Sequence, residues 1–142
     1  MRVVVDTNIV VSRYVAPQGV VAEVLARWEQ QAFELVVSEP ILSEFQRVLA
    51  YERIRARHLM SDAEILEVVE DFREFAILVE PTETVDAVKD DPDDNIFLDC
   101  ALAGGAECIV SGDFHLLALK QYRGIQILSP AAFLAFLNAH GP

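Results

Sequence analysis

Two hydrophobic periods alternate along this chain. Short β-branched runs at Arg2–Val5, Phe33–Val37, Ala76–Val79, Cys108–Ser111 and Ile125–Leu128 read as buried strands. Between them, apolar residues recur at helical spacing. Val20, Val21, Val24, Leu25 and Trp28 mark one helix, after the turn signal Pro17-Gln18-Gly19. Ile41, Leu42, Phe45, Val48 and Leu49 mark a second, with Ser38 as its cap and Pro40 in its first turn. Ser61 and Glu64 have capping-box spacing and open a third that runs through Phe75. Ile96–Ala103 predicts a fourth, stopping at Gly104-Gly105, and Phe114–Leu119 a short fifth. Ser129-Pro130 starts a last helix that reaches Asn138, and a polar loop spans Pro81 to Asp93. Strands alternating with helices predict an α/β fold with a mainly parallel sheet flanked by helices. No linker divides the 142 residues, so one domain is expected over 1–142.

Composition narrows the class. A hydrophobic share of 53% with only 6 Gly and 6 Pro argues against disorder and repeat architectures. A chain of this size buries roughly 70% of its unfolded surface. No apolar stretch approaches the roughly 20 residues a membrane helix needs. Met1-Arg2-Val3-Val4-Val5 begins like a signal peptide, but Asp6 and Asn8 interrupt it at once. A cytoplasmic protein with no membrane association is therefore expected. Cys100 and Cys108 fall in apolar helix and strand patterns and read as small buried hydrophobes, not as a disulfide or zinc pair. Charge changes the picture more. With 23 acids against 11 bases the formal net charge is −12, which argues against a polyanionic partner unless acids gather around cations.

Four acids stand where such gathering is feasible. In open parallel α/β sheets, ligands bind beyond the carboxyl ends of the strands. Asp6 directly follows the first strand, and Asp113 lies two residues after the fourth. Glu44 is two turns into the helix after the second strand, and Asp94 starts the helix that feeds the fourth. All four can reach one rim of the sheet. Two carboxylates about 5 Å apart repel by roughly 3 kcal/mol at an effective dielectric near 20. A cluster therefore requires protons or cations. Donors that are all oxygen favour Mg2+ or Mn2+ with retained waters, and such ions activate water against a phosphodiester. A bound cation would also meet phosphate as a positive surface, which answers the charge objection. Each acid alone has a plainer reading. Asp6 can cap a helix beginning near Ile9, Asp94 can cap from within Asp90-Asp91-Pro92-Asp93-Asp94-Asn95, Asp113 can be a turn residue and Glu44 a solvated acid.

Together the four segments resemble the motifs of the PIN-domain ribonucleases, and in particular the VapC-like toxins of prokaryotic toxin–antitoxin pairs. Val3-Val4-Val5-Asp6-Thr7-Asn8 is similar to the first motif, and Ser38-Glu39-Pro40-Ile41-Leu42-Ser43-Glu44-Phe45 to the helix that supplies the family's Glu. Asp91–Ala101 resembles the third motif and Ile109-Val110-Ser111-Gly112-Asp113 the fourth, where Thr is more usual than Ser111. The resemblance implies a five-stranded parallel sheet between helices, with the first strand beside the fourth. It implies that Asp6, Glu44, Asp94 and Asp113 are the catalytic carboxylates, ligating Mg2+ or Mn2+ directly or through water. A metal-bound water would then attack RNA in line and leave a 5′-phosphate. An RNA substrate, an antitoxin protein and a homodimer are the partners it implies. Asp94 is preferred to Asp93 because Asp94–Ala101 aligns with the start of the family's helix.

Further candidates surround this set. Asp99 is an extra acid in an apolar helix, four residues after Asn95, and is taken as an additional metal ligand because such a charge needs a partner. Asn8 and Ser111 are placed to orient ligands. Arg53, Arg55 and Arg57, with His58, form the one basic cluster and read as an RNA-backbone grip or a solvated face. His115 reads as packing beside Phe114 and Leu116. Two other enzyme classes fit less well. A response-regulator receiver needs an Asp after its third strand, where this chain has Val79-Glu80-Pro81. A haloacid-dehalogenase-type phosphatase needs Asp-x-Asp, where Asp6-Thr7-Asn8 supplies Asn. The competing nonenzymatic reading is a PIN-like module that only binds RNA or protein.

Overall fold

A computed structural model describes residues 1–89 and 92–140. The chain begins with β1 (Arg2–Val5), α1 (Thr7–Val15), α2 (Val20–Glu29), β2 (Glu34–Val37) and α3 (Glu39–Leu49). It continues through α4 (Glu52–His58), α5 (Asp62–Phe75), β3 (Ile77–Leu78), α6 (Asn95–Gly104) and β4 (Cys108–Val110). The last elements are α7 (Phe114–Leu117), β5 (Gln121–Tyr122), β6 (Ile125–Leu128) and α8 (Pro130–His140). The six strands form one sheet in the order β3-β2-β1-β4-β6-β5. All pairs are parallel except β5 with β6. The expected α/β architecture is observed, and β1 lies beside β4 with Val5 opposite Val110.

The central strand explains the layering. Val3, Val4 and Val5 are all buried although successive side chains point to opposite faces, so helices cover both sides of β1. The strand order reverses at β1, with β2 on one side and β4 on the other, which makes the carboxyl end of that pair the switch point where a crevice opens. α6 lies so close to the sheet that a Cβ on Gly104 would come within 2.5 Å of Val36 Cγ1. The two cysteines are free and buried, as their apolar settings predict. Among the described residues no single helix is long and apolar enough to cross a membrane.

Three local differences from the sequence reading have physical causes. β5 is a strand of only two residues, too short to show a period. It forms a hairpin with β6 through Arg123 and Gly124, both at positive φ (47° and 84°), the pattern of a type I′ turn. Arg53, Arg55 and Arg57 fall in α4, a helix of seven residues with none buried, and so without an apolar stripe to announce it. α7 is a single turn and ends at Leu117.

The segment after β3 has no regular structure through residue 89 but is fastened to α6. Asn95 Oδ1 accepts the amides of Ala87 (3.1 Å) and Val88 (2.9 Å), and Asn95 Nδ2 donates to the Val88 carbonyl (3.0 Å). Asp99 Oδ1 accepts the Val85 amide at 2.7 Å. Val85 and Val88 are thereby held in the core. Asp90 and Asp91 of the acidic run lie outside the described residues. Pro92–Asp94 makes a 3-10 turn that leads into α6.

Asn95 thus closes one side of the site's scaffold. Leaving a buried backbone group unpaired costs about 1–3 kcal/mol. Asn95→Ala is expected to lower unfolding stability by roughly 2 kcal/mol or more, measured by urea denaturation. An unchanged midpoint would mean that the loop is held by other contacts.

Candidate active site

The site grows from the end of β1. The Asp6 amide donates to the Val110 carbonyl at 3.0 Å, extending the β1–β4 ladder by one bond and setting Asp6 at the switch point. Asp6 then stops the strand and starts a helix, because its Oδ1 accepts the Ile9 amide at 3.2 Å as the cap of α1. Its Oδ2 accepts a hydrogen bond from the Ser111 hydroxyl. Ser111 is wholly buried, and its oxygen accepts the Asp113 amide at 2.9 Å. One serine therefore joins the acids that follow β1 and β4. Asp113 is a helix cap too, with Oδ1 accepting the amides of His115 (2.8 Å) and Leu116 (3.2 Å), which leaves Oδ2 outside the cap.

Glu44 arrives from α3. The Thr7 hydroxyl, one residue beyond Asp6, donates to Glu44 Oε2, and the Arg47 guanidinium lies 3.4 Å from Glu44 Oε1. Only 14% of the Glu44 side chain is exposed, so it is not the solvated acid of the plainer reading. Asp94 stands at the amino end of α6, half-buried, with Oδ2 shielded from water. Its side chain makes no capping bond to that helix. Asp93 is exposed, so burial separates two neighbours that the sequence left side by side.

Electrostatics single out Asp6. With 3% of its surface exposed, burial pushes its carboxyl up to about 6, and the nearby Asp113 charge adds to that push. Hydrogen bonds from Ser111, Ile9 and Gly112 act in the opposite direction without cancelling the burial. At neutral pH Asp6 is then an anion in a place that disfavours anions.

The remaining candidates divide. Ser111 donates its hydroxyl to Asp6. Asn8 is exposed and makes no described hydrogen bond to the acids, and its neighbour Thr7 does the orienting instead. Asp99 already has a partner in the Val85 amide, and burial pushes its carboxyl upward. It lines a separate cleft with Ser38, Glu39 and Glu83, and no described hydrogen bond links it to Asp6, Glu44 or Asp113. Arg55 pairs with Asp62, and Arg57 donates to the Val15 carbonyl at 3.5 Å, while Arg53 is exposed. His58 is structural. Its Nδ1 accepts the Met60 amide, so the ring proton sits on Nε2 and bonds the Leu49 carbonyl at 2.8 Å. Sequence reasoning missed Thr7, Arg47 and Asn95, whose partners are distant in the chain or need the folded helix to be seen.

Among the described residues, no three acidic, His or Cys side chains converge into a ready-made ion cage. The donors at the rim still fit a hard cation. They are all carboxylate oxygens, two of them coupled through Ser111, and Mg2+ is commonly held by one or two carboxylates with water completing its shell.

The comparisons agree with this geometry. A family model described as a PIN domain matches residues 2–115, and the chain belongs to that family. PIN domains are generally nucleases and typically use divalent metals. A curated relative, the uncharacterized protein MJ1680 of Methanocaldococcus jannaschii, is 26% identical over 120 residues, covering 84% of this chain and 76% of the relative. Among solved structures, VapBC2 from Rickettsia felis, bound to a DNA fragment from its promoter, matches with a TM-score of 0.57 and 13% identity. That match covers 91% of this chain and 98% of the other, and at such identity it speaks for the fold.

The Asp6 environment has a measurable consequence. Because the folded chain holds the Asp6 proton more tightly than the unfolded chain, this group's contribution to stability is full below about pH 4 and falls as pH rises to about 6. The shift from 3.8 to about 6 corresponds to roughly 3 kcal/mol. Asp6→Asn keeps the cap and removes the charge. In chelator it is expected to melt higher than wild type at pH 8, an advantage that shrinks towards pH 4. Added Mg2+ or Mn2+ should stabilise wild type and not the variant. Equal melting of the two chains at pH 8 in both conditions would reduce Asp6 to a helix cap.

Proposed function

We propose that this PIN-domain protein is a divalent-metal-dependent ribonuclease, acting as the toxin of a toxin–antitoxin pair. The observation that carries the reading is the pairing of Asp6 and Asp113 through buried Ser111, at the carboxyl ends of adjacent central strands. Capping alone does not call for the charge, since Asn caps about equally, and the second Asp6 oxygen is spent on the Ser111 hydroxyl that links it to Asp113. A charge retained there points to a cation and, through it, to phosphate.

Asp6, Asp113, Glu44 and Asp94 would hold Mg2+ or Mn2+, directly or through water. Such an ion, when bound, supplies positive charge to the scissile phosphate and makes a water molecule easier to deprotonate. The chain's own residues supply geometry. Ser111 and the Ile9 amide fix both oxygens of Asp6, and Thr7 fixes one oxygen of Glu44, so the carboxylates are aimed before substrate arrives. Asp113 is fixed by the turn it caps. Hydrolysis with water attacking in line leaves a 5′-phosphate.

The likeness of the fold to VapBC2 supports an antitoxin partner, which would be a separate protein that covers the rim. A homodimer and a cytoplasmic setting belong to the same proposal. One observation favours a second reading, a catalytically weak module that binds RNA or protein: among the described residues, no three ligands are already gathered. A metal titration separates the two. As a ribonuclease the chain cleaves RNA in proportion to bound Mg2+ or Mn2+ and stops in chelator. Cleavage undiminished by chelator would contradict the metal mechanism, and no cleavage at saturating metal would favour the binding module. Asp94→Asn is expected to lower turnover by two orders of magnitude or more, on the scale of losing one charge-stabilising group. Asp93→Asn should retain most activity. The reverse ranking would shift the third acid to Asp93.

A further inference from the structure

Glu44 reaches the rim with both carboxylate oxygens in contact with a donor. The Thr7 hydroxyl of α1 donates to Oε2, and the Arg47 guanidinium, one turn further along α3, stands 3.4 Å from Oε1. Residues three apart on a helix are neighbours, so the second contact is local. Its setting differs from that of other ion pairs in the chain. Arg13–Glu29, Arg27–Glu23 and Arg73–Glu39 leave 46–57% of the acid's side chain exposed. In the Arg47 pair the acid is 14% exposed and the base 57%. The arginine therefore comes in from solvent to a shielded carboxylate that Thr7 holds in place.

That asymmetry decides which partner gives way. A tight charge-assisted bond from nitrogen to a carboxylate oxygen is about 2.7–2.9 Å long, so a separation of 3.4 Å marks a loose one. An exposed guanidinium keeps most of its water and loses little on leaving its acid. A divalent cation at Glu44 has twice the charge of Arg47 and is attracted more strongly to the same carboxylate. The two cations also repel, so each weakens the other's hold.

We infer that Arg47 is a resident counter-ion of Glu44 which a divalent cation must displace, so that this arginine tunes the affinity of the site for metal. The inference rests on the metal-dependent reading and adds to it a residue that holds the ion off. Without an ion, Arg47 offsets one of the rim's negative charges, on a chain whose net charge is −12. When an ion binds, the guanidinium moves into solvent, where more than half of its side chain already lies. Thr7 keeps Glu44 aimed throughout, because its hydroxyl grips the other oxygen.

The test measures binding of Mn2+ alone, at fixed ionic strength, from the free-ion signal in electron paramagnetic resonance. Arg47→Met keeps the length of the side chain and removes its charge. It is expected to tighten the Kd for Mn2+ roughly three- to tenfold, while Arg47→Lys, which keeps the charge, stays close to wild type. Arg13→Met removes a charge from the last turn of α1, at the other end of that helix from Asp6, and should leave the Kd unchanged. At one fixed Mn2+ concentration, the rise in melting temperature over the chelated protein should likewise be larger for Arg47→Met than for wild type. If wild type binds Mn2+ and Asp6→Asn does not, the metal site stands; an Arg47→Met Kd that is unchanged or weaker then overturns the inference alone. Equal tightening by Arg13→Met would trace the effect to net charge and overturn it too. If wild type binds no Mn2+, the reading and the inference fall together.

Discussion

Asp6 ends the central strand, caps the first helix and carries a charge that its surroundings disfavour. Those roles are chemically linked. The strand delivers the residue to the switch point, the cap consumes one carboxylate oxygen, and Ser111 consumes the other. Water is thereby excluded, and the carboxyl that remains is pushed up to about 6 by its burial. A neutral Asn would keep the helix cap through its one carbonyl oxygen, but its Nδ2 donates and cannot accept the Ser111 hydroxyl, so the second bond calls for a carboxylate. The rest of the site is arranged around this one anion: a second acid within its field, a serine between them, and a third acid held by the next residue in the chain.

Capping and catalysis are alternatives only when each acid is read in isolation. In the folded chain, Asp6 and Asp113 both start helices, and the cap is what makes each carboxylate rigid. Asp94 is the informative exception. It stands half-buried at the head of α6 and makes no side-chain capping bond to that helix. Glu44 is governed by yet another contact, the Thr7 hydroxyl, which ties α3 to the first turn of α1. Precision in this site comes from backbone and hydroxyl contacts on regular elements, with the one irregular segment fastened by Asn95 and Asp99.

Much of this was legible in the sequence, for identifiable reasons. The β-branched runs at Val3–Val5 and Cys108–Val110 are too apolar to be anything but central strands, and strand ends place acids. Ser61 and Glu64 do form the capping box their spacing predicts. What the sequence could not show depends on contacts between distant residues. Thr7 meets Glu44 across 37 positions, and nothing local marks the pairing. Asp99 is a second case of a contact hidden from the sequence. A half-buried acid on an apolar helix has a partner here, but the partner is a backbone amide of the facing loop, which no side-chain pattern reveals. Gln121–Tyr122 pairs only because Arg123 and Gly124 turn the chain back, too few residues for any periodicity.

The central claim is that the anion at Asp6 is there to meet a cation. Metal binding to a carboxylate that is half protonated must release protons. Calorimetric titration of Mn2+ or Mg2+ into the protein, repeated in buffers of different ionisation enthalpy, counts them. At pH 6 about half a proton per bound ion should leave Asp6, falling towards zero by pH 8. Asp6→Asn should abolish both the release and most of the binding. Metal binding with no proton release at pH 6, unaltered by Asp6→Asn, would contradict the account.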